Sequence, residues 1–259
     1  TLTSGDIRPK QITKPSQYRF ADFSIDHNCN RVICVAEYHF SEQGESEPTN
    51  KLVSVDLKTG TITDLFNGDD FYANPRLSPD GKHLAWISWN HPNMPWDNTQ
   101  LWLAKLDNAG QITFAEHMTG ISESSVIQPE WSPNGQLYYV CDQNGWWNLY
   151  RLDMKRRELS SEPIVSMSAE FGQPQWVFGM SNYGFISEEQ ICCFYIQNGV
   201  WQLARIDLSN EGNLFSYDCP WTDFSGTLSS NQFGVLLAAS SPTTFSSVMF
   251  IETNQLLVD

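Results

Sequence analysis

Pro75-Arg76-Leu77-Ser78-Pro79-Asp80-Gly81 and Pro129-Glu130-Trp131-Ser132-Pro133-Asn134-Gly135 are two copies of one element. Proline sets φ to about −65° and the Asp/Asn-Gly pair tolerates positive φ, so each copy reverses the chain in a tight hairpin. Weaker echoes stand at Asp22-Phe23-Ser24, Pro174-Gln175-Trp176 and Asp223-Phe224-Ser225. A second unit is a strand ending in aspartate: Lys51 to Asp56, Leu101 to Asp107, Asn148 to Asp153 and Trp201 to Asp207. These four aspartates lie 51, 46 and 54 residues apart. Strand, hairpin, strand, loop, Asp-terminated strand and a last strand make a four-stranded antiparallel unit, and a repeat of about 40–50 residues with that content is a propeller blade.

Five blades are expected, at roughly 19–68, 69–120, 121–166, 167–218 and 219–259. Ile7 to Thr13 reads as an outer strand of a preceding blade. The ring either closes with that strand completing the last blade, or it is an open arc of a larger ring. Elsewhere the chain shows short apolar runs bounded by Gly, Pro, Asn and Asp, with no sustained 3.6-residue period, which is the all-β pattern. Trp86, Trp102, Trp131, Trp176 and Trp201 read as packing between blades.

Composition narrows the function. The 259 residues carry 30 Asp/Glu against 15 Lys/Arg, a formal charge of −15. Such a surface repels phosphate backbones and anionic headgroups, which argues against nucleic-acid and membrane roles. No apolar stretch approaches the ~20 residues of a bilayer span. Six cysteines are scattered without a C-x-x-C pair, and the five histidines show no ligand spacing, so neither a metal nor another cofactor is expected. Small buried thiols suit a reducing compartment, which favours the cytoplasm. The chain opens Thr1-Leu2-Thr3 and stops at Leu256-Leu257-Val258-Asp259, both of which read as cut ends.

In an up-and-down blade, the loop between strands two and three emerges on the same face as the crossover to the next blade. That places the unusual motifs together: Asp69 to Asn74, Trp89 to Asp97, Glu123 to Gln128, Asn144 to Trp147 and Ser168 to Gly172. The Trp89–Asp97 loop, with two prolines and two tryptophans, is either contact surface or a plug for the central channel. One of the adjacent Trp146 and Trp147 must face outward. The nearest approach to a nucleophile elbow, Gly179-Met180-Ser181-Asn182-Tyr183-Gly184, has Tyr where G-x-S-x-G needs Gly and reads as a Gly-rich hairpin. Asp69-Asp70 and Glu188-Glu189 are adjacent pairs whose side chains need not converge. No catalytic site is visible.

In order, Asp70 to Gly81, His91-Pro92-Asn93-Met94-Pro95-Trp96-Asp97, Gly145 to Tyr150 and Ala169-Glu170-Phe171-Gly172-Gln173-Pro174-Gln175-Trp176 resemble the N-terminal β-propeller of prolyl-oligopeptidase-family serine peptidases, in the dipeptidyl-peptidase/acylaminoacyl-peptidase-like branch. The S-P-D-G turns are shared with TolB-like propellers generally; the other segments are more specific. The resemblance implies an arc of a larger, seven-bladed ring docked on a C-terminal α/β-hydrolase domain, which this sequence lacks, with the propeller gating peptide access to a Ser-Asp-His triad. No catalytic residue carries over. The motif-rich face would meet the hydrolase and peptide substrates, with Asp70, Tyr72, Asn90, His91, Trp96, Asp97, Trp146, Glu170 and Phe171 as candidate interface residues. Glu170 would be an anchor for a peptide amino terminus. Open ring edges would favour self-association. The alternatives are a stand-alone TolB-like propeller that binds a protein or peptide, and a propeller lyase or lactonase, against which the sparse histidines argue.

Overall fold

The computed structural model describes residues 10–40, 47–118, 123–154, 160–210 and 212–257. Five antiparallel sheets follow one another along the chain. The first holds β1 (Tyr18–Asp26), β2 (Arg31–Tyr38), β3 (Thr49–Asp56) and β4 (Ile62–Phe66). The second holds β5 (Phe71–Leu77), β6 (His83–Trp89), β7 (Gln100–Leu106) and β8 (Ile112–His117). The third has β9 (Val126–Trp131), β10 (Leu137–Cys141), β11 (Asn148–Asp153) and β12 (Ser160–Pro163). The fourth has β13 (Tyr183–Phe185), β14 (Gln190–Gln197), β15 (Val200–Asp207) and β16 (Asn213–Ser216). The fifth has three strands, β17 (Asp223–Asn231), β18 (Gly234–Ser241) and β19 (Thr244–Glu252), then the single turn α1 (Thr253–Leu256). Each sheet pairs its strands in sequence order, the meander of a propeller blade. Of the strand expected over Ile7–Thr13, residues 7–9 lie outside the described residues, and 10–13 form no strand.

The repeated motifs do the same work in more than one sheet. In the Ser78–Gly81 hairpin, the Gly81 N–H donates to the Ser78 carbonyl at 2.9 Å, while Ser78 Oγ accepts from His83 N and donates to Asp80 Oδ1 at 2.6 Å. Ser132, Asn134, Gly135 and Gln136 repeat these bonds. The strand-ending aspartates close the next turn: Asp56 Oδ1 accepts from Lys58 and Thr59 N–H groups, and Asp107 Oδ1 from those of Ala109 and Gln111. Short side chains that satisfy turn donors in this way are why the pattern recurs.

The core lies between sheets. Ile33, Val35 and Leu52 of the first pack on Tyr72, Leu84 and Trp86 of the second, and comparable clusters join each later pair. Each such side chain contributes about 1.5–3 kcal/mol when fully buried. Trp86 is wholly buried and stacks on Trp102 at 5.8 Å, Trp131 donates its Nε1–H to the Arg76 carbonyl, and Trp201 packs edge-on against Phe194. Trp176 departs from this reading: it is 70 % exposed. Pro174–Trp176 forms no strand, because the inner strand of the fourth sheet begins later, at Tyr183.

Inner strands of neighbouring sheets touch, β1 with β5, β5 with β9 and β13 with β17. No comparable contact joins β17 to β1 among the described residues. The fifth sheet accordingly leaves Leu236, Phe245, Val248 and Phe250 exposed. Most inner strands also bulge, with a left-handed residue at Asp22, Asn74, Gln128 and Gly226. No helix among the described residues is long and apolar enough to cross a membrane.

Candidate functional site

The crossover into the second sheet and the Trp89–Asp97 loop are bonded together on one face. Asp70 N donates to Asn90 Oδ1 at 2.7 Å, Asn90 Nδ2 to Asp69 Oδ1 at 2.8 Å, and His91 N to Asp70 Oδ2 at 2.9 Å. Asn50 Nδ2 donates to the Asp70 carbonyl. Asp69 Oδ2 accepts from Ser88 Oγ, which in turn accepts from Trp102 Nε1. The two adjacent aspartates therefore hold a loop, and their oxygens diverge into different bonds.

The loop is folded onto itself and pinned to the next sheet. Met94 N donates to Asp97 Oδ2 at 2.8 Å, Ser125 Oγ to the Pro95 carbonyl at 2.7 Å, and Thr99 N to the Ser124 carbonyl. Held this way, it forms one wall of a cleft of about 430 Å3. Phe71 and Trp89, stacked at 5.4 Å, form part of the lining, with the His91 ring edge-on to Phe71 at 4.9 Å. The opposite wall is Gln175–Phe178, and Trp96 meets Trp176 across the gap at 4.3 Å. Asn74 is the buried polar residue in the lining. Beyond Phe71 and His91 lies an acidic hollow bearing Glu37, Glu47, Asp69 and Asp70.

The remaining expected residues fall elsewhere. Tyr72 is buried between the first two sheets, accepts the Asp69 N–H, and has its hydroxyl pushed up to about 12 by burial. Phe171 is buried and stacks on Tyr195 at 4.9 Å. Glu170 lies between the third and fourth sheets: its Oε2 accepts the Trp147 N–H at 2.8 Å, and its backbone bridges to Ile196. Trp146 is exposed, while Trp147 packs into the core. Asp70, Asn90, His91, Trp96 and Asp97 thus share one cluster, and Trp146 and Glu170 a second. Sequence reasoning missed Asn74 and the Gln175–Phe178 wall. The isolated Trp176 was the available signal, obscured by its similarity to the packing tryptophans.

Ser181 Oγ donates to the Leu228 carbonyl at 2.6 Å and accepts the Leu228 N–H at 3.0 Å. Its hydroxyl ties the fourth sheet to the fifth, and the segment is a turn entering β13 rather than a hairpin.

No family model matches the chain. Dipeptidyl-peptidase 5 of Porphyromonas gingivalis is 29 % identical over 99 residues, 38 % of this chain and 14 % of that protein. A solved puromycin hydrolase is 29 % identical with a TM-score of 0.86, over 95 % of this chain and 38 % of that one. A puromycin-hydrolyzing peptidase of Mycobacterium tuberculosis gives 27 % and 0.88, over 98 % and 40 %. At 12 % identity and a TM-score of 0.72, prolyl oligopeptidase B from Galerina marginata shares the fold. The chain spans well under half the length of the proteins it matches. By fold, and over nearly its whole length, it matches the N-terminal propeller portion of prolyl-oligopeptidase-family peptidases.

Proposed function

We propose that this chain is the non-catalytic propeller portion of a prolyl-oligopeptidase-like serine peptidase. It docks on an α/β-hydrolase domain through the face that carries the Trp89–Asp97 loop and filters peptides on their way to the triad. The observation that carries this reading is the aromatic cleft on that face, within a chain that aligns to puromycin hydrolase over 95 % of its own length and 38 % of the other's. Asp70, Asn90, His91, Trp96 and Asp97 build one side of the docking face, and Trp146 and Glu170 the other. Tyr72 and Phe171 support these loops from the core.

A filter needs a rigid rim and rings that cover area at little entropic cost, and the bonded loop with its two tryptophans supplies both. In this reading the chain alone hydrolyses nothing. The test is hydrolysis of aminoacyl- and dipeptidyl-p-nitroanilides by the purified chain. No turnover is expected, and a signal that follows the chain through successive columns overturns the proposal.

A further inference from the structure

The two walls of the aromatic cleft are held in different ways. The Trp89–Asp97 wall is pinned by hydrogen bonds to Asp70 and Ser125 and by one within itself, from Met94 N to Asp97. The opposite wall has no such ties. Residues 174–180 form no strand, and they make no hydrogen bond to any described residue outside 173–180. Within the segment, Trp176 N donates to the Pro174 carbonyl at 3.0 Å and Gln175 Nε2 to the Gln173 carbonyl at 3.3 Å. Only the feet are fastened. Phe171 N donates to the Trp147 carbonyl at 2.6 Å, Ser181 N to the Gly226 carbonyl at 2.9 Å, and Gln173 Nε2 joins one foot to the other through Asn182 Oδ1 at 3.2 Å.

Between those feet the segment reaches over the ends of the inner strands. Trp176 meets Trp96 in the second sheet's loop, and Phe178 lines both the aromatic cleft and a hollow of about 270 Å3 bordered by Arg19 and Phe20 of the first sheet. We propose that residues 173–179 are a strap across this face, latched shut by the Trp96–Trp176 contact, which swings outward on its feet and opens the cleft. The two ends are built as an anchor and a pivot. A Cβ on Gly172 would come within 2.6 Å of Ile127, so that end is packed, whereas Gly179, at φ +82°, has no atom within 4 Å of where its Cβ would stand. Swinging out breaks no hydrogen bond to another sheet, and the ring contact favours the latched form by only about two- to tenfold. Segments with few bonds and exposed side chains are the ones that open locally, and Trp176, Val177 and Phe178 are exposed even when latched. That a peptide enters by this opening rests on the preceding reading; the movement itself does not.

The test is native-state proteolysis. Chymotrypsin cuts after large aromatic side chains and needs an extended stretch of chain, so it reaches the bonds after Trp176 and Phe178 only when the strap is out. With the open form populated at about 0.1–10 %, cleavage there, located by mass spectrometry, is expected to run roughly ten- to a thousandfold slower than in a free peptide of the same sequence. Its rate should stay nearly constant in urea below the unfolding transition, the mark of a local opening. Trp96→Ala leaves the strap's own sequence intact and is expected to speed the cut about two- to tenfold. Cleavage as fast as in the free peptide means a strap that is never latched, and a rate that climbs with urea as steeply as global unfolding means one that never opens. Either result overturns the proposal, as does a wild-type rate in Trp96→Ala. The urea dependence is read on the unaltered chain, so it decides whatever the variant does to stability. Because the experiment needs no hydrolase domain, its failure is separable from failure of the peptidase reading, which a native product of the chain's own size would signal.

Discussion

The rings of Trp96 and Trp176 meet at 4.3 Å between centroids, tilted by 46°, although 80 residues separate them. One belongs to the loop after β6 and the other to the segment that leads into β13, so the contact spans from the second sheet to the fourth. It closes the far end of the cleft that Phe71 and Trp89 open. An aromatic pair of this kind adds about 0.5–1.5 kcal/mol beyond the area it covers. That is enough to hold a rim in shape, and too little to matter for the fold.

The two roles of tryptophan therefore separate on mutation. Trp86→Ala, at a wholly buried position, is expected to cost about 3–5 kcal/mol. Trp176→Ala is expected to cost about 1 kcal/mol at most. Urea unfolding followed by circular dichroism measures both, and similar midpoints for the two variants would contradict the assignment.

Thiol reactivity follows burial. Cys34, Cys141 and Cys192 have their thiols pushed up to about 12 by burial, and Cys193 is raised for the same reason. Cys29 and Cys219 are half-buried. At pH 8 a thiolate-selective reagent should label at most these two in the native chain and all six once it is unfolded. Rapid native labelling of Cys192 would contradict the packing of the fourth sheet on the fifth.

Acid should weaken the link between the first two sheets. Burial raises the Asp26 carboxyl, but the Cys29 N–H and the Arg31 guanidinium outweigh it and leave the group below its usual 3.8. Arg31 in turn donates to the Gly110 carbonyl of the second sheet at 2.7 Å. A depressed folded-state value means the stabilisation is present above about pH 4 and is lost as pH falls through the folded value. Asp26→Asn should destabilise the chain by about 3 kcal/mol at pH 7, since it leaves a buried guanidinium unpaired. The gap to wild type should shrink below pH 4. A pH-independent gap, read from denaturant midpoints, would remove the ion pair as its cause.

Sheet-to-sheet ties through bulge residues are equally testable. Gln128→Ala removes bonds to Asn182 N and the Tyr183 carbonyl at a position 2 % exposed. A loss of about 2–3 kcal/mol is expected. Exposed Gln143→Ala serves as a control, and equal unfolding midpoints for the two would contradict the tie.

Much of this fold was legible because its repeats are local chemistry. A serine two residues before Asp or Asn, with Gly next, can satisfy its own turn, so Ser78 and Ser132 announce hairpins wherever they stand. The gathering of loops on one face was also legible, since it follows from the meander alone, and the bonds of Asp70 with Asn90 and His91 realise it. What could not be read depends on contacts between distant segments. Nothing local distinguishes Trp176, which crosses to Trp96, from Trp201, which packs in a core. Asp22 and Gln128 accept backbone N–H groups of the next sheet, whereas the Oδ1 of the equivalent Asn74 is buried without a partner, a difference that no local pattern announces. Tyr72 sits in a motif-rich stretch, but strand alternation turns it inward.

The most direct test of the central claim is the mass of the native product, read by immunoblot of source cells with antibody raised against this chain. If 95 % of a 29.5 kDa chain corresponds to 38 % of a peptidase like puromycin hydrolase, the product should run at about 70–75 kDa. That band would place the chain in a peptidase as its propeller. A single band near 29.5 kDa would contradict the account and make the propeller a protein that works without a hydrolase domain.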